Sequence, residues 1–192
     1  MKKIYCSLMI ILSVLLSGCN SYRLSEAKLN EEIVQRIKDE PKQSIIVSMG
    51  EQTVTLDMVV IGAVVDLMAK EGGVAQIRLS TDMTGTLNMF GKDISVQTDL
   101  MPYIQAGVRI EEGKIYLVNP KVLEITVNGS SFNDQLLRSA LGPLHDDFEV
   151  ALSGYFSENP VYIMNHSALE ESAALVVKKI TINEDEIVMS MF

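Results

Sequence analysis

From Gln43 to Asn128 apolar and polar residues alternate with a period of two, over segments much longer than ordinary strands. Ile77, Leu79, Thr81, Met83, Gly85, Leu87 and Met89 share one face, and Gln76, Arg78, Ser80, Asp82, Thr84, Thr86 and Asn88 share the other. Alternation sustained this far predicts a long antiparallel strand with one wet face. The same pattern recurs at Ile45-Val47-Met49, at Val54-Leu56-Met58-Val60 running on through Val65, and at Ile94-Val96-Thr98-Leu100. It continues at Ile104-Ala106-Val108-Ile110, at Ile115 and Leu117, and at Leu123-Ile125-Val127. Turns are predicted at Gly50-Glu51-Gln52, Lys70–Gly73, Gly91-Lys92-Asp93, Glu111–Lys114 and Asn128-Gly129. Pro102 has no N–H for a ladder, so its strand must bend, lie at an edge or end there. A strand of about 15 residues spans roughly 50 Å. Strands of that length predict a strongly curved sheet wrapped around something.

Helical spacing appears on either side of the meander. Leu29, Ile33 and Ile37 fall four apart, with Val34 widening the stripe and Glu31, Arg36, Lys38 and Asp39 opposite. Ser25 is the expected N-cap, and Pro41 stops the helix after Glu40. Phe132, Leu136, Leu137, Ala140, Leu141 and Leu144 predict a second helix. His145 to Phe156 reads as a further helix or a break into strand, and Val161–Met164 as a short strand. Ser167 to Ala174 reads as a helical turn or two or an irregular connection. A final strand pair, with Ile180 and Ile182 facing Ile187, Met189 and Met191, crosses the turn Asn183–Glu186. These elements make one α+β domain over 25–192.

The N-terminus has a different character. Lys2 and Lys3 precede an apolar stretch from Leu8 to Leu16, too short for a spanning helix of roughly 20 residues. Leu16-Ser17-Gly18-Cys19 resembles the lipobox of bacterial lipoproteins. By that resemblance residues 1–18 are a cleaved signal peptide, Cys19 becomes the lipid-bearing first residue, and residues 19–24 form a tether. A thiol suits that role because it is the side chain nucleophilic enough to be alkylated near neutral pH. Asn20, rather than an aspartate, follows the cysteine, so the resemblance implies the periplasmic face of the outer membrane. Removing the leader also removes Cys6, so one cysteine remains, and neither a disulfide framework nor a cysteine metal site can form. The two leader lysines go with it, taking the formal charge from −9 to −11. That surface disfavours nucleic acid and is repelled by anionic headgroups as a whole.

The order helix, long antiparallel meander, helix, final strands resembles the YceB-like family of bacterial lipoproteins. The resemblance rests on the lipobox, the run through Met83-Thr84-Gly85-Thr86-Leu87, Pro160-Val161-Tyr162, and Val176-Val177-Lys178-Lys179-Ile180 to Ile187-Val188. It implies a TULIP-like domain, in which a curved sheet wraps a long helix and the interior accommodates lipid, with no assigned enzyme activity.

Candidate chemistry is sparse. His145-Asp146-Asp147 is the densest polar cluster, but the one other histidine, His166, lies twenty-one residues away on an expected loop. Asn183–Glu186 lacks the spacing and glycine of a calcium loop, and Gly72-Gly73 has no following lysine for a phosphate loop. Asn128-Gly129-Ser130 and Asn165-His166-Ser167 read as turns. No catalytic set, metal or cofactor is expected, and the protein is not expected to be an enzyme. The apolar side carries more. Nine methionines follow the leader, and such flexible, polarizable side chains either fill gaps or line adaptable grooves. The expected function is binding of a phospholipid, an acyl chain or another hydrophobe in an apolar groove. The candidate lining is Ile33 and Ile37 on the helix, Leu136 on the second helix, and Met189 at the C-terminus. From the sheet come Met58, Leu79, Met83, Leu87, Met89, Ile94 and Val96. The alternative is an envelope protein-interaction module with a simply packed core, recruiting a basic or strand-donating partner.

Overall fold

The computed structural model describes residues 21–39, 44–49, 54–89, 92–129, 131, 134–135 and 145–191; at 44–49, 54–56, 87–89, 94 and 96 it describes the backbone alone. The expected leader and Cys19 lie outside the described residues, as does the helix expected from Phe132 to Leu144, with Leu136, except for helical residues 134–135. The chain is α+β, as the patterning predicts. In order, the elements are β1 (Ser21–Ser25), α1 (Glu26–Asp39), β2 (Ser44–Met49), β3 (Val54–Met68), β4 (Val74–Met89), β5 (Lys92–Glu111) and β6 (Lys114–Asn128). Then follow α2 (His145–Glu158), β7 (Tyr162–Ile163), α3 (Ala168–Ala174), β8 (Lys179–Asn183) and β9 (Glu186–Ser190).

Six strands form one antiparallel sheet in the order β2-β3-β4-β5-β6-β7, built as a meander. The bend that Pro102 demands is realised, whereas the edge position and the strand end are not. β5 runs through Pro102 and pairs with a strand on each side. The β4–β5 register skips from Arg78↔Tyr103 to Thr81↔Leu100, so the missing proline N–H falls where the ladder is already interrupted. The hydroxyl of buried Thr81 donates to the Leu100 carbonyl at 2.9 Å on the edge of that gap. Bulges lie at neighbouring positions on the outer strands, at Ile61 on β3 and at Leu123 on β6. Defects aligned across four strands let the sheet fold along one line.

That fold line divides the inner face. One half holds Val65, Leu67, Ala75, Ile77, Leu79, Ile104, Ala106, Ile115 and Leu117; the other holds Met58, Met83, Leu100 and Val127. Curvature brings the opposite margins of the sheet to a single helix: α2 packs against both β2 and β6. α1 lies across β3 and β7. The curved sheet therefore closes on α2, and the amphipathic α1 bridges β3 and β7.

The segment expected as a tether is structured from Ser21. β1 pairs with β9, from Ser21↔Ser190 to Ser25↔Glu186, and makes a separate three-stranded sheet with β8. Only Leu24 of β1 is fully buried, and so short a polar strand carries no alternation to read. Ile182, Ile187 and Met189 face the main core from this small sheet.

Candidate functional site

α1 owes its position to the bare edge of β3. β2 covers β3 only as far as Val59, and the edge beyond would expose unpaired backbone groups. The Asn30 side chain acts as a substitute strand there: its amide donates to the Val65 carbonyl and its oxygen accepts from the Val65 N–H, both at 2.8 Å. Glu26 accepts from the Leu67 N–H at 2.7 Å, and the Asp185 N–H donates to the Leu67 carbonyl at 3.2 Å. Ser25 caps the helix by accepting from the Lys28 N–H at 3.3 Å, as its sequence position predicts. At the other end the Arg36 guanidinium donates to the Pro160 carbonyl at 2.9 Å.

Held in this way, α1 leaves a partly open cavity of about 110 Å³ between itself and the sheet. Leu29, Ile33 and Ile37 line it from α1; Val60, Ala63, Val65 and Leu67 from β3; and Ala75, Ile77 and Leu79 from β4. Val108, Ile115, Leu117, Tyr155, Phe156, Val161 and Ile187 complete the wall, with Arg36 at the mouth. The lining is apolar almost throughout. Its size is well below the roughly 300–1,000 Å³ of pockets that enclose a whole drug-sized ligand. It is closer to an engineered cavity of roughly 150 Å³ that admits benzene.

Of the residues singled out by patterning, Ile33, Ile37 and Leu79 meet at this cavity. Met58, Met83 and Met189 are completely buried but elsewhere in the core, and none lines it. Leu87, Met89, Ile94 and Val96 occupy β4 and β5 on the far side of the fold line. Tyr155, Phe156 and Val161 went unrecognised because they come from α2 and the loop after it. Their place depends on the curvature that brings α2 over the sheet. A polar recess of about 150 Å³, lined by Glu32, Asn165 and His166 among others, adjoins the cavity, with Arg36 and Val161 shared between them.

Beside the recess is the densest polar network among the described residues, and patterning did not find it. Glu170 is fully buried. Its Oε1 accepts from Tyr22 Oη at 2.7 Å, from Tyr162 Oη at 2.9 Å and from the Lys28 ammonium. Its Oε2 accepts from the His166 N–H at 3.0 Å, with His166 Nδ1 3.2 Å away. His166 Nε2 lies 3.0 Å from Glu32. Burial pushes the Glu170 carboxyl up, but the bonds from Lys28, Tyr22, the His166 backbone and Tyr162 outweigh it and bring the pKa to about 2. Burial, reinforced by Glu170, raises the Tyr162 and Tyr22 phenols. The hydrogen bond that Lys28 donates to Glu170 raises the Lys28 ammonium against its own desolvation. With every partner satisfied, this is a structural clamp that joins β1, α1, β7 and α3. The local signal was Ser167-x-x-Glu170, a capping-box spacing in which Ser167 accepts from the Glu170 N–H. Nothing local marks Glu170 as buried.

His145 opens α2 beside exposed Asp146 and Asp147, far along the chain from the Glu170 clamp. Among the described residues there is no group of acids, histidines and cysteines arranged to hold a metal ion, and no helix long and apolar enough to cross a membrane.

A family model described as "Protein of unknown function (DUF1439)" matches residues 24–186. No curated protein matches the chain significantly. Six chains among solved structures do. One, described as a crystal structure of lipopolysaccharide binding protein, is 11% identical with a TM-score of 0.32. That alignment covers 88% of this chain and 39% of the other, so the chain spans about two fifths of that protein's length.

Proposed function

We propose that this chain, which belongs to the DUF1439 family, is a non-catalytic lipoprotein that holds the end of an acyl chain or a similar hydrophobe between α1 and the curved sheet. In this reading Cys19 carries the lipid, the protein stands on the periplasmic face of the outer membrane, and the YceB-like and TULIP-like resemblances of the sequence apply. The observation that carries the proposal is the apolar, partly open cavity beneath α1. The one charged side chain in its lining, Arg36, donates to the Pro160 carbonyl, which leaves apolar burial as the driving force.

Magnitudes set the mode of binding. A cavity of this size takes about six carbons, which at about 0.8 kcal/mol per methylene contributes roughly 5 kcal/mol before the cost of immobilisation. Net affinity is then millimolar or weaker, at most about 4 kcal/mol. Such a site exchanges its ligand readily, as a carrier or sensor of loose chains must. Titration with a fluorescent fatty acid tests it. Wild type should enhance the fluorescence saturably, and Ala63→Phe, which fills the cavity from β3, should abolish the enhancement. Equal enhancement by both proteins would place any binding elsewhere.

A second reading, the protein-interaction module, draws on Ile61 and Val64, large apolar residues exposed on β3 near the fold line. Crosslinking in intact cells separates the two: one stoichiometric protein partner at position 64 favours the module, and lipid adducts near Ile33 favour the carrier.

A further inference from the structure

The end of the small sheet where β1 begins collects features that the cavity does not explain. Ser190 on β9 pairs with Ser21 on one side and Lys179 on the other, and its carbonyl accepts from the Lys178 N–H at 3.0 Å. With strands about 4.8 Å apart, Lys178 and Ser21 lie roughly 10 Å from each other. Leu175 is three residues before Lys178, within about 11 Å even if the chain is fully extended. Leu175 is 87% exposed, Leu169 on α3 is 67% exposed, and Val176 is exposed beside them. Among the described residues no element covers these three side chains, and Lys178 and Lys179 are exposed next to them, with Glu171 the neighbouring acid on α3. One residue, Asn20, separates Ser21 from Cys19, a span of at most about 7 Å.

We infer that Leu169, Leu175 and Val176, flanked by Lys178 and Lys179, form a face that rests on the bilayer to which Cys19 is anchored. The inference depends on the lipoprotein reading above and adds an orientation to it. An acyl anchor at Cys19 holds Ser21 within about 7 Å of the membrane surface, Lys178 within about 17 Å and Leu175 within about 28 Å. Apolar side chains there enter the headgroup boundary, and adjacent lysines meet anionic lipid. Two lysines locally reverse the sign of a chain whose formal charge without the leader is −11. By contrast the outer face of the main sheet is acidic, with Asp82 directly opposite Asp99, and is repelled by the same lipid.

The test uses full-length protein acylated in cells, with Leu175→Cys as its one free thiol, labelled with an environment-sensitive fluorophore. It is reconstituted into phosphatidylethanolamine–phosphatidylglycerol vesicles doped with nitroxide lipid, after intact mass has established the acylation. The label at 175, and likewise at Leu169→Cys, should shift to the blue and be quenched by the nitroxide. A label at Thr84→Cys, on the outer face of β4, should do neither. Adding Lys178→Glu and Lys179→Glu to Leu175→Cys should reverse the shift and the quenching. A label at 175 as aqueous as that at 84, in acylated vesicle-bound protein, overturns the inference and leaves the anchor intact. Self-quenching between labels without lipid quenching also overturns it, by showing that a second copy covers the face. A mass without acyl chains overturns the anchor itself and the orientation with it.

Discussion

Replacing Glu170 by glutamine should remove a pH-dependent part of the stability and leave the shape of the clamp in place. The carboxyl has a pKa of about 2 in the folded protein against 4.5 ordinarily, so folding favours its charged form. The shift of about 2.5 units corresponds to roughly 3 kcal/mol at 1.36 kcal/mol per unit. Because the folded pKa is depressed, this contribution is fully present above about pH 4.5 and is lost as pH falls towards 2. Glutamine keeps an acceptor for Tyr22 and Tyr162 but carries no charge for Lys28. Urea unfolding of wild type and Glu170→Gln should therefore differ by about 3 kcal/mol at pH 7. The gap should narrow below pH 4 and nearly close at pH 2, where wild-type Glu170 is itself half neutral. Taking the difference between the proteins cancels every other carboxylate that titrates in the same range. A gap that stays constant from pH 7 to 2.5 would mean that the glutamate acts by packing rather than by charge, and would refute the reasoning.

Other substitutions test the rest of the architecture. Asn30→Ala strips both partners from Val65 on the β3 edge and should cost about 2–3 kcal/mol in urea unfolding. It should also loosen α1, read as faster hydrogen exchange at its amides. Met83→Ala, which empties a fully buried position, should cost about 2–5 kcal/mol, whereas Met83→Leu should cost less than about 1.5. Neither methionine change should alter binding of the fluorescent fatty acid, because Met83 lies outside the cavity. Gly113→Ala places a Cβ 2.7 Å from Ala174 Cβ at a φ of +72°, so it should cost about 1–3 kcal/mol and lower the melting temperature.

Much of this fold is legible locally. Strict alternation marks β4, a four-residue apolar stripe with a serine cap marks α1, and Pro102 within the alternating β5 marks the line along which the sheet folds. What escaped reading depends on contacts between distant segments. β1 has one buried side chain, Leu24, and its partner β9 lies at the other end of the chain, so nothing local distinguishes it from a tether. Glu170 is an ordinary glutamate in a capping box until Tyr22, Lys28 and Tyr162 converge on it. The inward methionines read as a possible groove because alternation gives the face and not the depth. Once the sheet folds along Ile61, Pro102 and Leu123, Met58 and Met83 fall on the half that α1 does not line. Ile33, Ile37 and Leu79 fall on the half that it does.

The central claim is that the space beneath α1 is there to be filled by an apolar chain. Photocrosslinking of wild type and Ala63→Phe with a diazirine fatty acid in intact membranes, which captures a rapidly exchanging ligand before extraction and mass measurement, tests this most directly. The account predicts a crosslinked acyl species on wild type that is missing from Ala63→Phe, with both proteins folded. Wild type that is uniformly bare, or a variant as loaded as wild type, would contradict it.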